Sequence, residues 1–276
     1  MVHQKVTEPS NVNSHIQMPK LLLRRFHNDK NRFCYYDVKG RFIGTKGTAE
    51  STNTEFGYFS IEIEHFLRDK IETPFGKILA YIDGIDFEQE YFPMTPDFEQ
   101  STRAFIYSLM SRDPAMVNEM NENSFFSQFL PTQFRHDYAA INGIALAKQN
   151  KLLSEYILTF MVNRSDIPFV LPIAGLYDYN LNGHSVINFP ISPQLAICLV
   201  HEGYSDRLIH DDGTVSMFMV EFPDVIMRMN NWAFTSQKKR NWGRIICPYR
   251  DELDRLMKGS YIENSKHQII APQGRV

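Results

Sequence analysis

Between two apolar runs, Ile157–Val162 and Phe169–Ile173, the chain places Asn163, Arg164, Ser165 and Asp166, and Pro168 closes the interruption. A carboxylate, a hydroxyl and a guanidinium in so apolar a setting are groups that transfer protons or hold an anion. Asp166 would then stand at the end of a buried strand. The same residues also suit a structural turn, because an Asp side chain accepts backbone N–H bonds two residues on and proline fixes the exit. A second set of carboxylates comes from IEHFLRDKIE, where Glu64 and Glu72 are eight residues apart. On a helix that spacing is about 80° around the axis and two turns along it, so both could line one edge of a cleft; solvated glutamates are the plainer reading. Glu72 is flanked by apolar residues in KIETPFGKIL, and a buried Glu needs a cation or a metal beside it. Arg112, in SRDP at the end of a helical pattern, is either a clamp for an anion or a cation that complements the helix dipole.

The elements that must carry these groups follow from hydrophobic spacing. From Ser60, which can cap the start, the residues Ile61, Phe66, Leu67, Ile71, Phe75, Ile78, Leu79 and Ile82 predict a helix that Pro74 kinks or splits. Further helices are expected over Phe98–Ser111, Thr132–Glu155 and Asp224–Arg240, with a short one at RDELDRLMKG that Gly259 stops. PKLLLRRF reads as a helical turn, and RFCYYDVKGRFIGTKG as a hairpin turning at Lys39-Gly40. Strands are expected near Ile157–Val162, Phe169–Ile173, Val186–Phe189, Leu195–Val200 and Ser216–Glu221. Residues 1–13 read as a flexible segment and 14–276 as a single α+β domain, with a mostly helical N-terminal half packed on an antiparallel sheet from the C-terminal half.

Composition narrows the function classes. A chain of 276 residues can bury a sizeable core without covalent staples. Its cysteines, Cys34, Cys198 and Cys247, are odd in number and widely spaced, which suits packing in a reducing compartment. The N-terminus lacks a basic stretch followed by an apolar one, and no apolar run approaches the roughly 20 residues of a membrane span. A soluble, cytoplasmic protein with no membrane partner is expected. The formal charge of -3 confines any nucleic-acid surface to a local patch. WAFTSQKKRNWGR is the one basic stretch with interleaved aromatics, and it reads either as a phosphate-tracking surface or as a solvated helix end with its tryptophans in the core. Gly40, Gly44 and Gly47 have the wrong spacing for a P-loop, and neither His-Glu-x-x-His, Gly-x-Ser-x-Gly nor a dinucleotide fingerprint occurs.

Taken in order, the segments HIQMPKLLLRRF, IEHFLRDKIE, SRDP, RSDIP, NFPISP and RMNNWA resemble the domain-of-unknown-function 4238 family. Members of that family open with His-x-x-Pro running into leucines and a phenylalanine. A paired-glutamate helix, an Arg-x-Pro helix end, a Ser-Asp-x-Pro turn, a Phe-Pro strand and a late helix near an asparagine follow. The resemblance spans about residues 14 to 240 and adds His15, Ser192 and Asn230 to the candidates. Pro19 lies four residues after His15 instead of three, and Ile167 replaces the usual Asn of the turn. The family has no assigned activity to transfer, so the resemblance implies a shared fold and pocket.

His, Glu, Asp and Arg are the residue types that hydrolysis of phosphoesters or glycosidic bonds employs: a base, proton-transferring or metal-holding carboxylates, and a cation for the developing charge. The expectation is a hydrolase acting on a phosphoester or nucleic-acid substrate. In it Glu72 and Asp166 are the catalytic carboxylates and the ligands of a divalent metal such as Mg²⁺ or Mn²⁺, with His15 as base. Arg112, Ser165, Ser192 and Asn230 contact substrate, and the partner is nucleic acid or a nucleotide. The alternative is a non-catalytic ligand- or nucleic-acid-binding module whose polar cluster is structural.

Overall fold

The computed structural model describes residues 13–52, 54–114, 117–118, 132–149, 153–181, 184–204 and 208–259. The segment expected to be flexible lies outside the described residues except for Asn13. In chain order the elements are β1 (Asn13–His15), α1 (Lys20–Leu23) with a 3-10 turn at Arg24–Phe26, β2 (Phe33–Asp37), β3 (Phe42–Gly47) and β4 (Thr54–Phe56). Next come α2 (Ile61–Leu67), a π-turn (Arg68–Glu72), α3 (Thr73–Ile82), β5 (Tyr91–Pro93), α4 (Pro96–Ser111) and α5 (Thr132–Gln149). The remainder is β6 (Tyr156–Asn163), β7 (Leu171–Pro172), β8 (Tyr177–Leu181), β9 (His184–Ser192), β10 (Leu195–His201), β11 (Thr214–Ser216), β12 (Phe218–Val220), α6 (Pro223–Lys239), β13 (Arg244–Cys247) and α7 (Arg250–Met257). Among the described residues no helix is long and apolar enough to cross a membrane.

The expected arrangement, a helical N-terminal half on one antiparallel sheet from the C-terminal half, is overturned. Helices run through the whole chain, with α6 and α7 near its end. Strands β2 and β3 come from the N-terminal half, yet they share a sheet ordered β3-β2-β13-β7 with strands from the C-terminal half. The described strands form four sheets, and the largest, β12-β6-β10-β9-β8, contains a parallel pair between β12 and β6. Periodicity reports which residues of a strand face the core and is silent on its partner; Cys34 of β2 finds Cys247 of β13, about three quarters of the chain away.

The chain divides into two compact units. Unit one draws on the described residues of Met1–Pro19, Asn53–Gly84 and Asp97–Leu153, and unit two on those of Lys20–Thr52, Ile85–Pro96 and Ser154–Val276.

Unit one is organised by the helix that runs from α2 through the π-turn into α3. Its buried residues Ile63, Leu67, Ile71, Phe75 and Leu79 recur every four positions. On an uninterrupted α-helix that repeat drifts by about 40° per step and soon leaves the core face. The π-turn, in which the Thr73 N–H bonds the Arg68 carbonyl, fits more residues into one turn and takes back the drift. Pro74, which has no N–H and crowds the carbonyl four residues before it, sits immediately after the irregularity. Phe75 then stacks on Phe105 of α4 with ring centroids 3.9 Å apart, while β1 pairs with β4.

Unit two is built on β6, which pairs with β12 and β10 in the largest sheet and whose run Leu158–Asn163 is buried throughout, so that both faces of the sheet are covered there. The core joins residues of both larger sheets to helices α6 and α7, including Phe169, Val186, Phe218, Met229, Ile245 and Leu253.

Candidate functional site

The polar cluster of unit one starts at the end of α4. There the Arg112 side chain folds back along its own helix, and Nε donates at 3.2 Å to the Ser108 carbonyl, which also accepts from the Arg112 backbone N–H and the Ser111 hydroxyl. Nη1 reaches Glu72 Oε1 at 3.2 Å; the Arg112 side chain is 1% exposed and that of Glu72 25%. Nη2 is shielded from solvent, and no described residue accepts a hydrogen bond from it.

Glu64 is the second carboxyl of this cluster, brought toward Glu72 because the π-turn rotates Glu72 back relative to a regular helix. Burial raises the Glu64 pKa and the charges of Glu72 and Asp137 add to the rise, whereas the Ser14 hydroxyl and the Arg112 charge oppose it. Ser14, on β1, lies close enough for its hydroxyl to lower the Glu64 pKa, although among the described residues neither that hydroxyl nor Glu64 Oε1 makes a hydrogen bond of ordinary geometry. Next to Ser14 stands His15, half-buried, opposite Thr54 in the β1–β4 register and with Nδ1 shielded from solvent.

Two further residues of α5 close the cluster. Asp137 Oδ1 accepts from the Ser60 N–H at 3.0 Å, while the Ser60 hydroxyl accepts from the Ile63 N–H and caps α2. Burial raises the Asp137 pKa and lowers that of His136. His136 stacks on Tyr58 at 3.8 Å, and burial pushes the Tyr58 phenol up to about 12. Unit one therefore gathers Glu64, Glu72 and Arg112 from segments that the sequence singled out. Ser14, Tyr58 and Asp137 were not anticipated: each is an ordinary residue type with no local pattern to mark it.

In unit two the turn after β6 is held by Asn163, not by Asp166. Asn163 Oδ1 accepts from the Ser165 N–H at 3.0 Å and its hydroxyl at 2.8 Å. Its Nδ2 donates to the carbonyls of Ile167 at 2.7 Å and Pro193 at 3.2 Å. Asp166 is exposed, and Arg164 turns away to the Phe87 carbonyl at 3.1 Å. The sequence anticipated an Asx-turn and centred it three residues too late.

Asn230 of α6 is fully buried, and its amide is spent on the same loop. Oδ1 accepts from the Val170 N–H at 3.0 Å, and Nδ2 donates to the Pro168 carbonyl at 2.8 Å and to Glu252 Oε1 at 3.1 Å. Ser192 forms the turn between β9 and β10 by accepting from the Gln194 N–H at 3.3 Å, and it lines a cavity of about 310 Å³. In the basic stretch, Trp232 stacks on Tyr179 at 4.8 Å and packs against the core of unit two.

Of the expected site residues, His15, Glu72 and Arg112 belong to unit one, and Ser165, Asp166, Ser192 and Asn230 to unit two. Among the described residues no three His, Cys, Asp or Glu side chains are gathered so as to hold a metal ion. Comparisons of the chain with models of known families, with curated proteins and with solved structures find no match.

Proposed function

We propose that the protein is a cytoplasmic hydrolase of phosphoester or nucleic-acid substrates whose chemistry centres on Glu64, Glu72 and Arg112 of unit one. The observation that carries the proposal is the Arg112 guanidinium: buried, held by Glu72 and Ser108, and still with one N–H face, at Nη2, that no described residue bonds. Unbonded buried donors are rare in folded proteins and call for a reason. Beside it lies Glu64, a carboxyl whose pKa is raised by burial. Perturbed acids next to a fixed cation are characteristic of sites that move protons. In this reading Glu64 gives its proton to the leaving oxygen, Nη2 of Arg112 takes the charge that develops on the phosphoryl oxygen, and His15 activates water. Glu72 orients the guanidinium. The resemblance to the domain-of-unknown-function 4238 family supports the same grouping, since three of its motifs supply these residues. Three free, buried cysteines suit a reducing compartment.

The test is turnover of an activated phosphodiester, of nucleotides and of single-stranded DNA and RNA by the full chain, with and without Mg²⁺ or Mn²⁺. Glu64→Gln, which keeps shape and removes the proton, is expected to lower turnover by about 10²-fold or more. Turnover that survives this change would refute the assignment.

A second reading is favoured by one observation, the near-complete burial of Arg112: the cluster is a structural network in a non-catalytic binding module. Removing one partner of a buried pair costs about 3–5 kcal/mol. If Glu72→Gln costs that much and no substrate is turned over, this reading stands.

A further inference from the structure

The basic stretch at the end of α6 meets the β2–β3 hairpin of the same unit. The Val38 N–H donates to the Gly243 carbonyl at 3.0 Å, and Gln237 Nε2 donates to the Trp242 carbonyl at 2.7 Å. The turn after α6 is thus tied both to the hairpin and to its own helix. Asp37 Oδ1 accepts from the Gly40 N–H at 2.8 Å and closes the hairpin turn. A surface fixed in this way loses less freedom when it binds. The strands have two unlike faces. Cys34, Tyr36, Val38, Ile245 and Cys247 belong to the core. Side chains alternate along a strand and cross-strand partners share a face. The other face therefore carries Tyr35, Asp37, Phe42 and Arg244, with Asp37 opposite both Phe42 and Arg244, and Tyr35 opposite Gly44.

That outer face combines rings with positive charge. Tyr35 lies over Gly44, where a Cβ would come within 2.3 Å of the ring carbon Cζ, so a side chain there would push the ring off the strand. The Arg244 guanidinium covers the Tyr35 ring at 4.3 Å from its centroid, and its Nε reaches Asp37 Oδ2 at 3.4 Å. Phe42 meets Tyr35 edge-on with centroids 6.2 Å apart and is itself 49% exposed. Exposed cations surround this ring: Lys39 and Arg41 in the hairpin turn, and Lys46, which by alternation shares the face of Phe42. Lys238 and Lys239, also exposed, add charge at the end of α6. Over Tyr35–Gly47 and Thr235–Cys247 the single carboxylate is Asp37, and Arg244 neutralises it. In a chain of formal charge -3 this is a local concentration of positive charge that attracts a polyanion. An uncovered ring among cations asks for more than charge, because it offers a stacking surface to flat, unpaired groups. A single nucleic-acid strand supplies both parts, whereas a duplex keeps its base faces inside its own stack.

We propose that the outer face of β2 and β3 binds single-stranded nucleic acid, with a base stacked on Phe42 and phosphates on Lys39, Arg41 and Lys46. The proposal does not rest on the hydrolytic reading of unit one. Fluorescence anisotropy of labelled oligothymidylate and oligouridylate of about 12 nucleotides is expected to show saturable binding of either strand by the full chain. Raising salt from about 50 to about 200 mM weakens it by about tenfold or more, as about three phosphate contacts require. Phe42→Ala weakens binding by about tenfold, and Phe42→Trp restores it. Lys39→Glu combined with Lys46→Glu weakens binding and flattens its salt dependence. These side chains are exposed, and a melting curve checks that the variants keep the fold. A duplex of the same length binds at least about tenfold more weakly. Glu64→Gln keeps the binding, so this surface and the proposed hydrolytic site fail separately; loss of binding in that variant would place the strand at unit one and overturn the proposal. Absence of saturable binding to both strands, duplex binding as tight as that of a single strand, or binding unchanged in both the Phe42→Ala and the double-glutamate variants also overturns it. Tighter binding to vesicles of equimolar phosphatidylserine and phosphatidylcholine than to either strand would do the same, and would make the patch a membrane-facing one.

Discussion

Replacing Asn230 by alanine removes three hydrogen bonds at once and leaves the Val170 N–H, the Pro168 carbonyl and Glu252 Oε1 without this partner inside the core. Each buried group so stranded costs about 1–3 kcal/mol, so the expected loss is about 3–6 kcal/mol once partial relaxation is allowed. That is a large part of the stability of an ordinary domain, about 5–15 kcal/mol. Urea unfolding followed by tryptophan fluorescence is the suitable assay, because the two tryptophans, Trp232 and Trp242, both belong to unit two and report on the part that holds the clamp. Asn230→Asp sharpens the test. It keeps an acceptor for Val170 but sets an oxygen against the Pro168 carbonyl and a carboxylate against Glu252. The variant should therefore be weakest at neutral pH and recover toward acid, where the new carboxyl is protonated and can donate. Were Asn230→Ala to unfold within about 0.5 kcal/mol of the parent, the range of ordinary surface changes, the clamp would be refuted and the amide would be available to a ligand.

Other perturbations follow from the same geometry. The Glu252 pKa is raised by burial, against the opposing effects of Asn230 and Arg255. The folded state therefore holds this proton more firmly than the unfolded chain, and its contribution to stability is lost as pH rises from about 4.5 through the folded value. Glu252→Gln should remove that slope, gaining on the parent at pH 7 relative to pH 4 in paired urea titrations; parallel pH profiles would contradict it. Gly243 has φ +76° and a Cβ there would lie 2.4 Å from Ile173 Cγ2, so Gly243→Ala should cost about 1–3 kcal/mol by the same fluorescence assay. Ser60→Ala loses the cap of α2 and should cost about 1 kcal/mol, read by thermal melting followed by circular dichroism; an unchanged melt would argue against the cap.

What the sequence made legible was local. The turn at Lys39-Gly40, the helices at Pro96–Ser111 and Pro223–Lys239, and the strands at Tyr156–Asn163 and Leu195–His201 follow apolar spacing and turn chemistry, and they lie where those signals put them to within a few residues. The arrangement was not legible. Nothing near Phe33–Asp37 names Arg244–Cys247 as its partner, and nothing in Phe218–Val220 says that it will run parallel to Met161–Asn163. The site shows the same division. Glu72 and Arg112 could be picked out by residue type, yet whether they meet depends on a π-turn that a strict four-residue repeat only hints at. The Ser-Asp-x-Pro pattern points to Asp166 as the residue that holds the turn, whereas Asn163, neutral and the last residue of its strand, makes it.

The charges of the unit-one cluster separate its two roles more sharply than its contacts do. Arg112 and Glu72 neutralise one another, and burial favours the uncharged form of Glu64. A network selected for stability alone would gain by setting Glu64 Oε1 on Nη2 of Arg112, because two buried groups of complementary kind cost most when each lacks a bond. Both are close enough to shift the same titration, and neither bonds the other. Under the proposed function, a phosphoester oxygen would accept from Nη2 while a neighbouring oxygen took the proton of Glu64, which would satisfy both groups and develop charge where the guanidinium lies. If the proposed hydrolysis is right, the cluster is less stable alone than around a transition state, which is the condition under which bound groups accelerate a reaction, and a phosphate-ester mimic should then raise the melting temperature of the parent more than that of Glu64→Gln.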